Sequence, residues 1–468
     1  MKIFKSILCF TLLALSIGGC SVDDSTDEIT TPFVVAFENL SVNLGEITTT
    51  QDINLVYSET TTASGLVRLT LDATNAQYGT DFTTTPPLDG NEISVPISAG
   101  QNETAIVFTK LSNDLDETVE IRFTISEVTY PNAVIQGNTT FTLNSAASLG
   151  RGFEPTVGGP NEQNQVYIDL STETQSPVQR DTWDLGFYGG TDFRVGINTS
   201  IYMAAKQLES NNIDAVSQAD VADIQEEVAV GTFDPTNAAY IDNPDGDIAK
   251  TAISSISALD EDNKVYLVNL GYEVGTDTPA PGSVAIAGDA RGWKKIRILR
   301  QANGYLLQYA DLNDTSHQEI TIEKNSEYNF TFFNLKTANT VLVAPKTENW
   351  DINFTVFTNV ITGAGSYGFS DGVLHNRKGG VTAYLIDTDQ TSIAYDDFNL
   401  NNVNSGSFLS DQRAIGSSWR DVFDRIVFEN IYYIIKDPNG NIYKLKFTGL
   451  VNDAGERGFP EFKYNLLQ

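Results

Sequence analysis

The chain repeats one short pattern, and this repeat constrains the fold more than any other feature. Residues 183–187 and 350–354 both read Trp-Asp-aliphatic-x-Phe. Each copy follows a β-like run that ends in leucine, at residues 166–170 and 330–335. The spacing from that leucine to the tryptophan is 13 residues in the first copy and 15 in the second (183 − 170 and 350 − 335). On an alternating strand, we expect each Trp ring to point into the core and each Asp carboxylate to point outward.

A second pair of similar segments follows in the same order. Residues 298–304 and 434–440 each read as a strand that runs into an Asn-Gly turn, which is a strong hairpin signal. A further β-like run follows each turn, at residues 306–312 and 442–450. Two pairs of similar segments that occur in the same order predict a duplicated β-unit between about residues 150 and 468. Chance combined with common turn chemistry is the alternative.

The second copy resembles a known family. Residues 349–351 (Asn-Trp-Asp), the strand before them at residues 330–333 and the closing hairpin at residues 432–447 are similar to the HmuY family. Members of that family are haem-binding lipoproteins of Gram-negative cell surfaces with an all-β fold. The resemblance covers about residues 150–468. It implies capture of haem or a related tetrapyrrole for uptake, with an outer-membrane transporter as a partner.

The resemblance also implies candidate haem ligands. In the family pattern a ligand histidine lies five positions after the tryptophan, and here those positions hold Tyr188 (183 + 5) and Thr355 (350 + 5). A tyrosine phenolate can ligate ferric haem, whereas a threonine cannot replace an imidazole. Tyr188, His375 and Met203 are therefore the candidate haem ligands.

Glycine-rich segments follow both Trp-Asp strands, and they predict an apolar cleft for a ligand. We expect its borders to be the strand after Trp183 and a loop at residues 361–380. Arg377 and Lys378 in that basic loop are the candidate contacts for haem propionates. A polysaccharide ligand, or an adhesion or uptake-complex role without haem, is the alternative function.

Charge and residue usage exclude other classes. The chain has 61 acidic and 29 basic residues, a net charge of −32, which disfavours nucleic-acid binding. Its histidines are His317 and His375, its cysteines Cys9 and Cys20, and it has no Gly-x-Ser-x-Gly motif. Residues 363–368 fit Gly-x-Gly-x-x-Gly, but no helix start follows, so a dinucleotide site is not expected. We predict a binding protein without enzymatic activity.

The N-terminus reads as a lipoprotein signal peptide. Residues 1–20 combine an early positive charge, a short apolar run and the lipobox-like end Ser-Ile-Gly-Gly-Cys. Cys20 is the predicted lipidation site, residues 21–32 form an acidic tether, and the protein is expected on the outer membrane, facing the exterior. A plain signal peptide with an incidental cysteine is the alternative.

Residues 33–147 predict a first β-domain and residues 148–468 a second. Short alternating runs separated by Gly, Pro and Asn turns are typical of a sandwich. The expected strands of the first domain are residues 34–37, 52–57, 65–71, 92–97, 104–111 and 120–128. Its segments 78–82, 97–101 and 113–118 resemble a Calx-β domain, an immunoglobulin-like sandwich that sometimes binds calcium. On that resemblance the candidate calcium ligands are Asp81, Asp114, Asp116 and Glu117, and turn residues are the alternative.

These features predict a mainly β fold: an immunoglobulin-like, Calx-β-type sandwich followed by an HmuY-like all-β domain with an internal duplication and one short helix. The helix is expected between Ser217, a good N-cap, and Gly231. Residues 242–247 (Asp-Asn-Pro-Asp-Gly-Asp) predict a solvated acidic turn, because they lack the spacing of an EF-hand loop.

The lipobox generates the first testable prediction. Cys20→Ala should move the protein from the membrane fraction to the soluble fraction, because no other long apolar run could anchor the chain. Cell fractionation followed by immunoblotting measures the distribution. A variant that still requires detergent for extraction would contradict lipid anchoring at Cys20.

Overall fold

The computed structural model describes residues 32–44, 47–112, 119–144 and 149–467. Cys20, the tether up to residue 31 and three of the calcium candidates (Asp114, Asp116 and Glu117) lie outside these residues, so the roles proposed for them stay predictions. Within the described ranges, no helix is both long and apolar enough to cross a membrane.

The first part of the chain forms two packed sheets. Their orders are β10-β1-β3-β8-β5 and β2-β11-β9-β4-β7-β6, and alternate residues of each strand face one shared apolar core. All six strands expected from the sequence are present, with ends that differ by three residues at most. The strands are β1 (Phe33–Phe37), β2 (Ser41–Asn43), β3 (Thr50–Tyr57), β4 (Gly65–Thr74), β5 (Phe82–Thr85), β6 (Leu88–Asp89), β7 (Glu92–Ile97), β8 (Glu103–Lys110), β9 (Glu120–Thr129), β10 (Ala133–Ile135) and β11 (Thr140–Asn144).

The described calcium candidate has a structural role. The Asp81 carboxylate accepts a hydrogen bond from the backbone N–H of Gln77 at 2.8 Å and so closes the turn before β5. Across the described residues, no group of three Asp, Glu, His or Cys side chains is arranged to hold a metal ion. The calcium site expected from the Calx-β resemblance therefore has no support in this part of the chain.

The rest of the chain is also mainly strand. Two short α-helices, α1 (Gln218–Val221) and α2 (Thr388–Thr391), interrupt the described strands, together with isolated 3-10 turns. The strands are β12 (Gly152–Phe153), β13 (Asn164–Asp169), β14 (Thr174–Gln179), β15 (Leu185–Tyr188), β16 (Val195–Ile197), β17 (Ala204–Gln207), β18 (Val265–Asn269), β19 (Tyr272–Val274), β20 (Ala287–Ala290), β21 (Trp293–Gln301), β22 (Gly304–Ala310), β23 (Gln318–Glu323), β24 (Phe330–Asn334), β25 (Asn339–Val341), β26 (Ile352–Ile361), β27 (Gly365–His375), β28 (Thr382–Asp387), β29 (Arg420–Asp421), β30 (Ile426–Val427), β31 (Ile431–Lys436), β32 (Ile442–Val451) and β33 (Arg457–Leu466).

The two copies of the repeated unit exchange a strand. One four-stranded sheet has the order β16-β15-β24-β25, and the other has the equivalent order β27-β26-β13-β14. The leucine-ending run before the first tryptophan, β13, pairs with β26 of the second copy, and the run before the second tryptophan, β24, pairs with β15 of the first. The matching orders confirm the duplication. Neither copy completes its sheet without the other.

Each copy continues into a larger antiparallel sheet. The first contains β17-β18-β21-β22-β23, and the second contains β28-β31-β32-β33 with β12 at its edge. The two hairpins predicted from the repeated Asn-Gly turns are β21–β22 and β31–β32. Consequently both halves of the second domain have the same two-sheet plan.

The aspartate of each repeated motif fastens the exchanged strand. Asp184 Oδ2 accepts a hydrogen bond from the backbone N–H of Leu335 at 2.6 Å, and Asp351 Oδ2 accepts one from Leu170 at 2.9 Å. The exposed fractions of Asp184 and Asp351 are 0% and 5%. The expectation that these carboxylates point outward was therefore wrong, because each one satisfies a buried backbone donor where the strand of the other copy ends.

The two buried carboxylates differ in their charged neighbours. Burial raises the pKa of Asp184, and the adjacent guanidinium of Arg291 opposes the rise. Burial also raises the pKa of Asp351, and there Asp169 and Asp437 add to the rise. Thus Asp184 belongs to a buried ion pair, whereas Asp351 lies beside other acids.

Two asparagines complete the equivalence of the motifs. Asn198 Nδ2 donates a hydrogen bond to the backbone carbonyl of Trp183 at 2.8 Å, and Asn376 Nδ2 donates to that of Trp350 at 3.0 Å. Each asparagine directly follows the strand that pairs with its motif strand, β16 or β27. The backbone at both tryptophans is therefore held by the same kind of contact.

Two local expectations were only partly right. The helix expected at residues 217–231 ends at Val221, although Val221 and Val228 are buried as the apolar pattern predicts. Most of the expected loop at residues 361–380 is the strand β27, and its glycines permit close packing: a Cβ at Gly368 would lie 2.1 Å from the Tyr202 ring. Gly-x-Gly-x-x-Gly is thus part of a hairpin.

The asymmetry between the buried aspartates is testable. Asp184→Asn should lower the free energy of unfolding by about 2–4 kcal/mol, because the buried Arg291 loses its closest counter-charge and keeps only the partly exposed Glu273 at 3.7 Å. Asp351→Asn should cost less than about 1 kcal/mol, because the amide oxygen still accepts from Leu170 and a buried charge is removed. Urea denaturation of both variants measures the difference, and equal losses would contradict this assignment.

Candidate functional site

A cavity lies between the two exchanged four-stranded sheets and receives residues from both copies. Its volume is about 160 Å³. Aromatic side chains from both copies form much of its wall: Tyr167, Trp183, Phe330, Phe332, Trp350 and Phe357. The strand exchange creates this wall, because each copy places its tryptophan beside the exchanged strand of the other.

The aromatic contacts follow the internal symmetry. Trp183 meets Phe332 edge to face, with ring centroids 4.7 Å apart and an interplanar angle of 69°. Trp350 meets Tyr167 in the same way, at 4.9 Å and 78°. Edge-to-face contacts fix the ring planes. Because both indoles are half-buried and line the cavity, the expectation that they are core residues holds only in part.

Several residues that line this cavity carry a buried polar atom that has no hydrogen-bond partner among the described residues. These atoms are the side-chain nitrogens of Trp183, Trp350 and Gln165, the amide oxygen of Asn353, and both ring nitrogens of His375. Buried polar groups in folded proteins are nearly always satisfied, so each exception needs an explanation. Their convergence on one aromatic-lined cavity indicates a site prepared for a ligand with polar atoms.

His375 is the titratable group of this set. It ends β27, opposite Ile352, and the equivalent position in the first copy is Ile197, opposite Leu185. The exposed fraction of His375 is 1%. Burial lowers its pKa to about 4, with Asp411 opposing and Arg377 adding to the effect. The imidazole is therefore neutral at pH 7, with a lone pair available to a ligand.

The Ser410 backbone is a further neighbour of His375. It favours the protonated ring, yet neither ring nitrogen makes a hydrogen bond of normal geometry to a described residue. The Ser410 backbone therefore does not use the lone pair of the neutral imidazole.

Residues 242–251 form one wall of the cavity. Asp242 is anchored there by the backbone N–H groups of Ile197 at 2.9 Å and Ala252 at 2.8 Å. Burial raises the pKa of Asp242 to about 6, although these N–H groups and Lys378 oppose the rise. Removal of its ammonium from water lowers the pKa of the half-buried Lys378 to about 8, with Asp242 opposing.

The structure brings some of the predicted site residues together. His375, Arg377, Lys378 and Thr355 all line the cavity. The hydroxyl of Thr355 already donates to the backbone carbonyl of Val356 at 2.8 Å. Arg377 and Lys378, the candidate propionate contacts, donate to backbone carbonyls of the acidic turn at residues 245–246.

Two predicted ligands do not line the cavity. Met203 is fully buried in the core that contains Leu185 and Phe187. Tyr188 lies at the end of β15, and its ring packs against the cavity-lining Phe330 with centroids 5.9 Å apart. Neither side chain lines the cavity, so spacing along the strand did not locate the site.

Sequence reasoning missed Gln165, Tyr167, Asn353 and Asp242. Gln165 and Tyr167 belong to β13, which the echo had identified as a strand. They enter the site only because β13 pairs with β26 of the other copy. The repeated sequence pattern identifies both strands, but it does not indicate that the two copies exchange them.

The family and fold were compared with known proteins. A family model described as HmuY protein matches residues 161–321 and 326–464, which is more than half of the chain. A search of curated proteins found no match.

Solved structures with detectable similarity include an apo-form Calx CBD1 domain, at 14% identity with a TM-score of 0.20, covering 24% of this chain and 97% of that one. A two-domain protein of unknown function from Bacteroides fragilis is 11% identical, with a TM-score of 0.19, covering 65% and 90%. A candidate carbohydrate-binding protein from Bacteroides ovatus is 12% identical, with a TM-score of 0.16, covering 72% and 96%. At these TM-scores none of them carries an argument about function.

The unsatisfied imidazole generates a stability prediction. His375→Ile places the residue of the first copy in the second, and it should raise the free energy of unfolding at pH 7 by about 1–3 kcal/mol because it removes unpaired buried polar atoms. As the pH falls from about 6.5 to about 4, the unfolded chain binds the His375 proton first, so the wild type loses stability and the variant is spared that part of the loss.

His317→Gln is the matched control. Burial of His317 is outweighed by hydrogen bonds to Asp214 and Glu319, so its pKa is raised and its stabilising contribution is present at low pH. That contribution is lost as the pH rises through the folded pKa, which is the opposite trend. Urea denaturation between pH 4 and pH 8 separates the two, and a destabilised His375→Ile at pH 7 would contradict the role assigned to the imidazole.

Proposed function

This chain belongs to the HmuY family, and on that premise we propose that it captures haem or a related tetrapyrrole at the cell surface. The cavity between the two copies would hold the ligand, and the neutral imidazole of His375 would ligate its iron. The observation that carries the proposal is the buried, uncharged His375 ring at an aromatic-lined cavity, which makes no hydrogen bond of normal geometry although the Ser410 backbone lies nearby.

The chemistry of the cavity suits such a ligand. Trp183, Trp350 and Phe332 offer apolar faces to a flat macrocycle, and the unpaired indole N–H groups are donors for its polar edge. Burial raises the pKa of Tyr167, so its phenol stays protonated and is a poorer iron ligand than the imidazole. Bound haem would supply an iron centre that accepts a nitrogen ligand; the chain's own part is to offer the nitrogen lone pair and exclude water.

A surface location fits the same proposal. Members of the family are surface-associated, and we propose that lipid on Cys20 anchors this chain to the outer membrane. The first sandwich then acts as a spacer between the lipid and the ligand-binding domain. A transporter in the outer membrane is the expected recipient of the ligand.

A single-ring polar ligand, such as one residue of a glycan, is the second candidate. The cavity of about 160 Å³ is close to the ~150 Å³ of an engineered cavity that holds benzene, and smaller than the ~300–1,000 Å³ usual for ligand pockets. Its unpaired atoms include donors on Trp183, Trp350 and Gln165 and an acceptor on Asn353. This mixture matches the hydroxyl groups of a sugar.

Haemin titration tests the first candidate. Wild type and His317→Ala should both give a shifted Soret band with saturable binding, because His317 does not line the cavity. His375→Ala should weaken binding by more than about tenfold, since it removes the axial nitrogen. Two outcomes would overturn the proposal: a spectrum of free haemin with the wild type, or equal affinity for both variants. Calorimetric binding of a monosaccharide in that case would favour the second candidate.

A further inference from the structure

The wall formed by residues 242–251 connects the two copies across the cavity. It belongs to the first copy, between β17 and β18, and its only regular element is the 3-10 turn Ile248–Lys250. On the second copy it contacts the loop after β27 and Gln412, whose side chain donates to the Pro244 carbonyl at 3.1 Å. The segment therefore lies where a ligand would have to pass between the copies.

Charge holds this wall in place on the second copy. Arg377 approaches Asp245 at 3.8 Å and Asp247 at 3.6 Å, and it donates to the Asp245 backbone carbonyl at 2.9 Å. Lys378 donates to the Gly246 carbonyl at 3.2 Å. The ion pairs are weakened by salt, and opening the contact also releases the backbone carbonyls of residues 244–246, which accept from Gln412, Arg377 and Lys378.

Carboxylates of this wall already pair with a cation that a carboxylate-bearing ligand would need. Arg377 and Lys378 line the cavity, and Asp245 and Asp247 form the ion pairs with Arg377. The closed cavity of about 160 Å³ is also smaller than the lower end, about 300 Å³, of usual ligand pockets. Entry of a larger ligand therefore requires both more room and free cations.

We propose that residues 242–251 are a lid whose Asp245 and Asp247 act as internal competitors for the carboxylates of the ligand. In the closed state the lid carboxylates pair with Lys250 of the lid itself, at 2.8 and 3.4 Å, and more loosely with Arg377 of the second copy. A ligand with peripheral carboxylates replaces the lid carboxylates as the ion-pair partner of Arg377. The lid then moves away and the cavity widens. This inference rests on the proposed function in one respect, namely that the ligand carries carboxylates.

The lid sets affinity and selectivity together. When only a fraction of the molecules is open, the apparent affinity falls in proportion to that fraction. A ligand with carboxylates regains the lost ion pairs on binding, whereas its ester does not. Opening therefore favours acidic macrocycles over their neutral derivatives.

The test uses the full chain with Asp245→Asn and Asp247→Asn combined. Both asparagines keep the oxygen that accepts from the backbone N–H groups of Asp247 and Ala249, so the turn itself is retained. The matched control is Glu92→Gln with Glu127→Gln, which removes two carboxylates from Arg68 in the first sandwich. The two double variants thus have the same change in charge.

Two readouts are measured on each protein. The first is the dissociation constant for haemin and for haemin dimethyl ester, from the Soret band. The second, without ligand, is acrylamide quenching of tryptophan fluorescence in a Trp293→Phe background, because Trp293 is also partly exposed and Trp419 is buried; quenching then reports access to Trp183 and Trp350 in the cavity. The lid variant should bind haemin about three- to tenfold tighter, because Arg377 loses its two competing lid carboxylates, with a smaller gain for the ester and stronger quenching. The control should match the wild type in both.

The outcomes separate the lid from the proposed ligand. If haemin binds no variant but quenching rises only in the lid variant, the lid stands and the haem proposal falls. If quenching is unchanged, the lid is overturned, even where haemin affinity rises through simple removal of negative charge. An equal gain for haemin and its ester overturns the competition between carboxylates.

Discussion

The structure of the second domain depends on one hydrogen bond that occurs twice. In each copy a buried aspartate accepts from the backbone N–H at the end of the strand donated by the other copy, Asp184 from Leu335 and Asp351 from Leu170. These bonds fix the exchanged strands, and the exchange brings the two tryptophans to one cavity. Burying two carboxylates is costly unless they are paired or hydrogen-bonded, so the motif binds the copies together at the same place where it creates the site.

The residues around the cavity have more buried polar atoms without hydrogen-bond partners than is usual in a protein interior. Unpaired polar atoms of Gln165, Asn353, His375 and both tryptophans face a space lined by aromatic rings. In a purely structural core such atoms would be replaced by apolar ones at a gain in stability. Position 375 makes the contrast directly, since the equivalent residue of the first copy is Ile197. The second copy therefore keeps an unsatisfied imidazole where the first copy has an aliphatic side chain, and this difference is what the proposed ligand role explains.

Much of the fold could be predicted from the sequence, because alternation and turn chemistry are local signals. The strands of the first sandwich, the duplication and the hairpins β21–β22 and β31–β32 follow from them. Less of the candidate site could be predicted from the sequence. Strand exchange is not local, so the burial of Asp184 and Asp351 and the entry of Gln165 could not be predicted. Counting five residues from Trp183 led to Tyr188, which packs against the cavity-lining Phe330 but does not line the cavity itself.

The central claim is that the ligand of this protein occupies the cavity between the copies and is held by His375. Anomalous diffraction at the iron absorption edge, from crystals grown with haemin, tests it most directly. The account predicts one iron peak inside the cavity, within bonding distance of a His375 ring nitrogen, with the macrocycle between Trp183 and Trp350. An iron peak on the outer surface, or an ordered cavity without iron at saturating haemin, would contradict it.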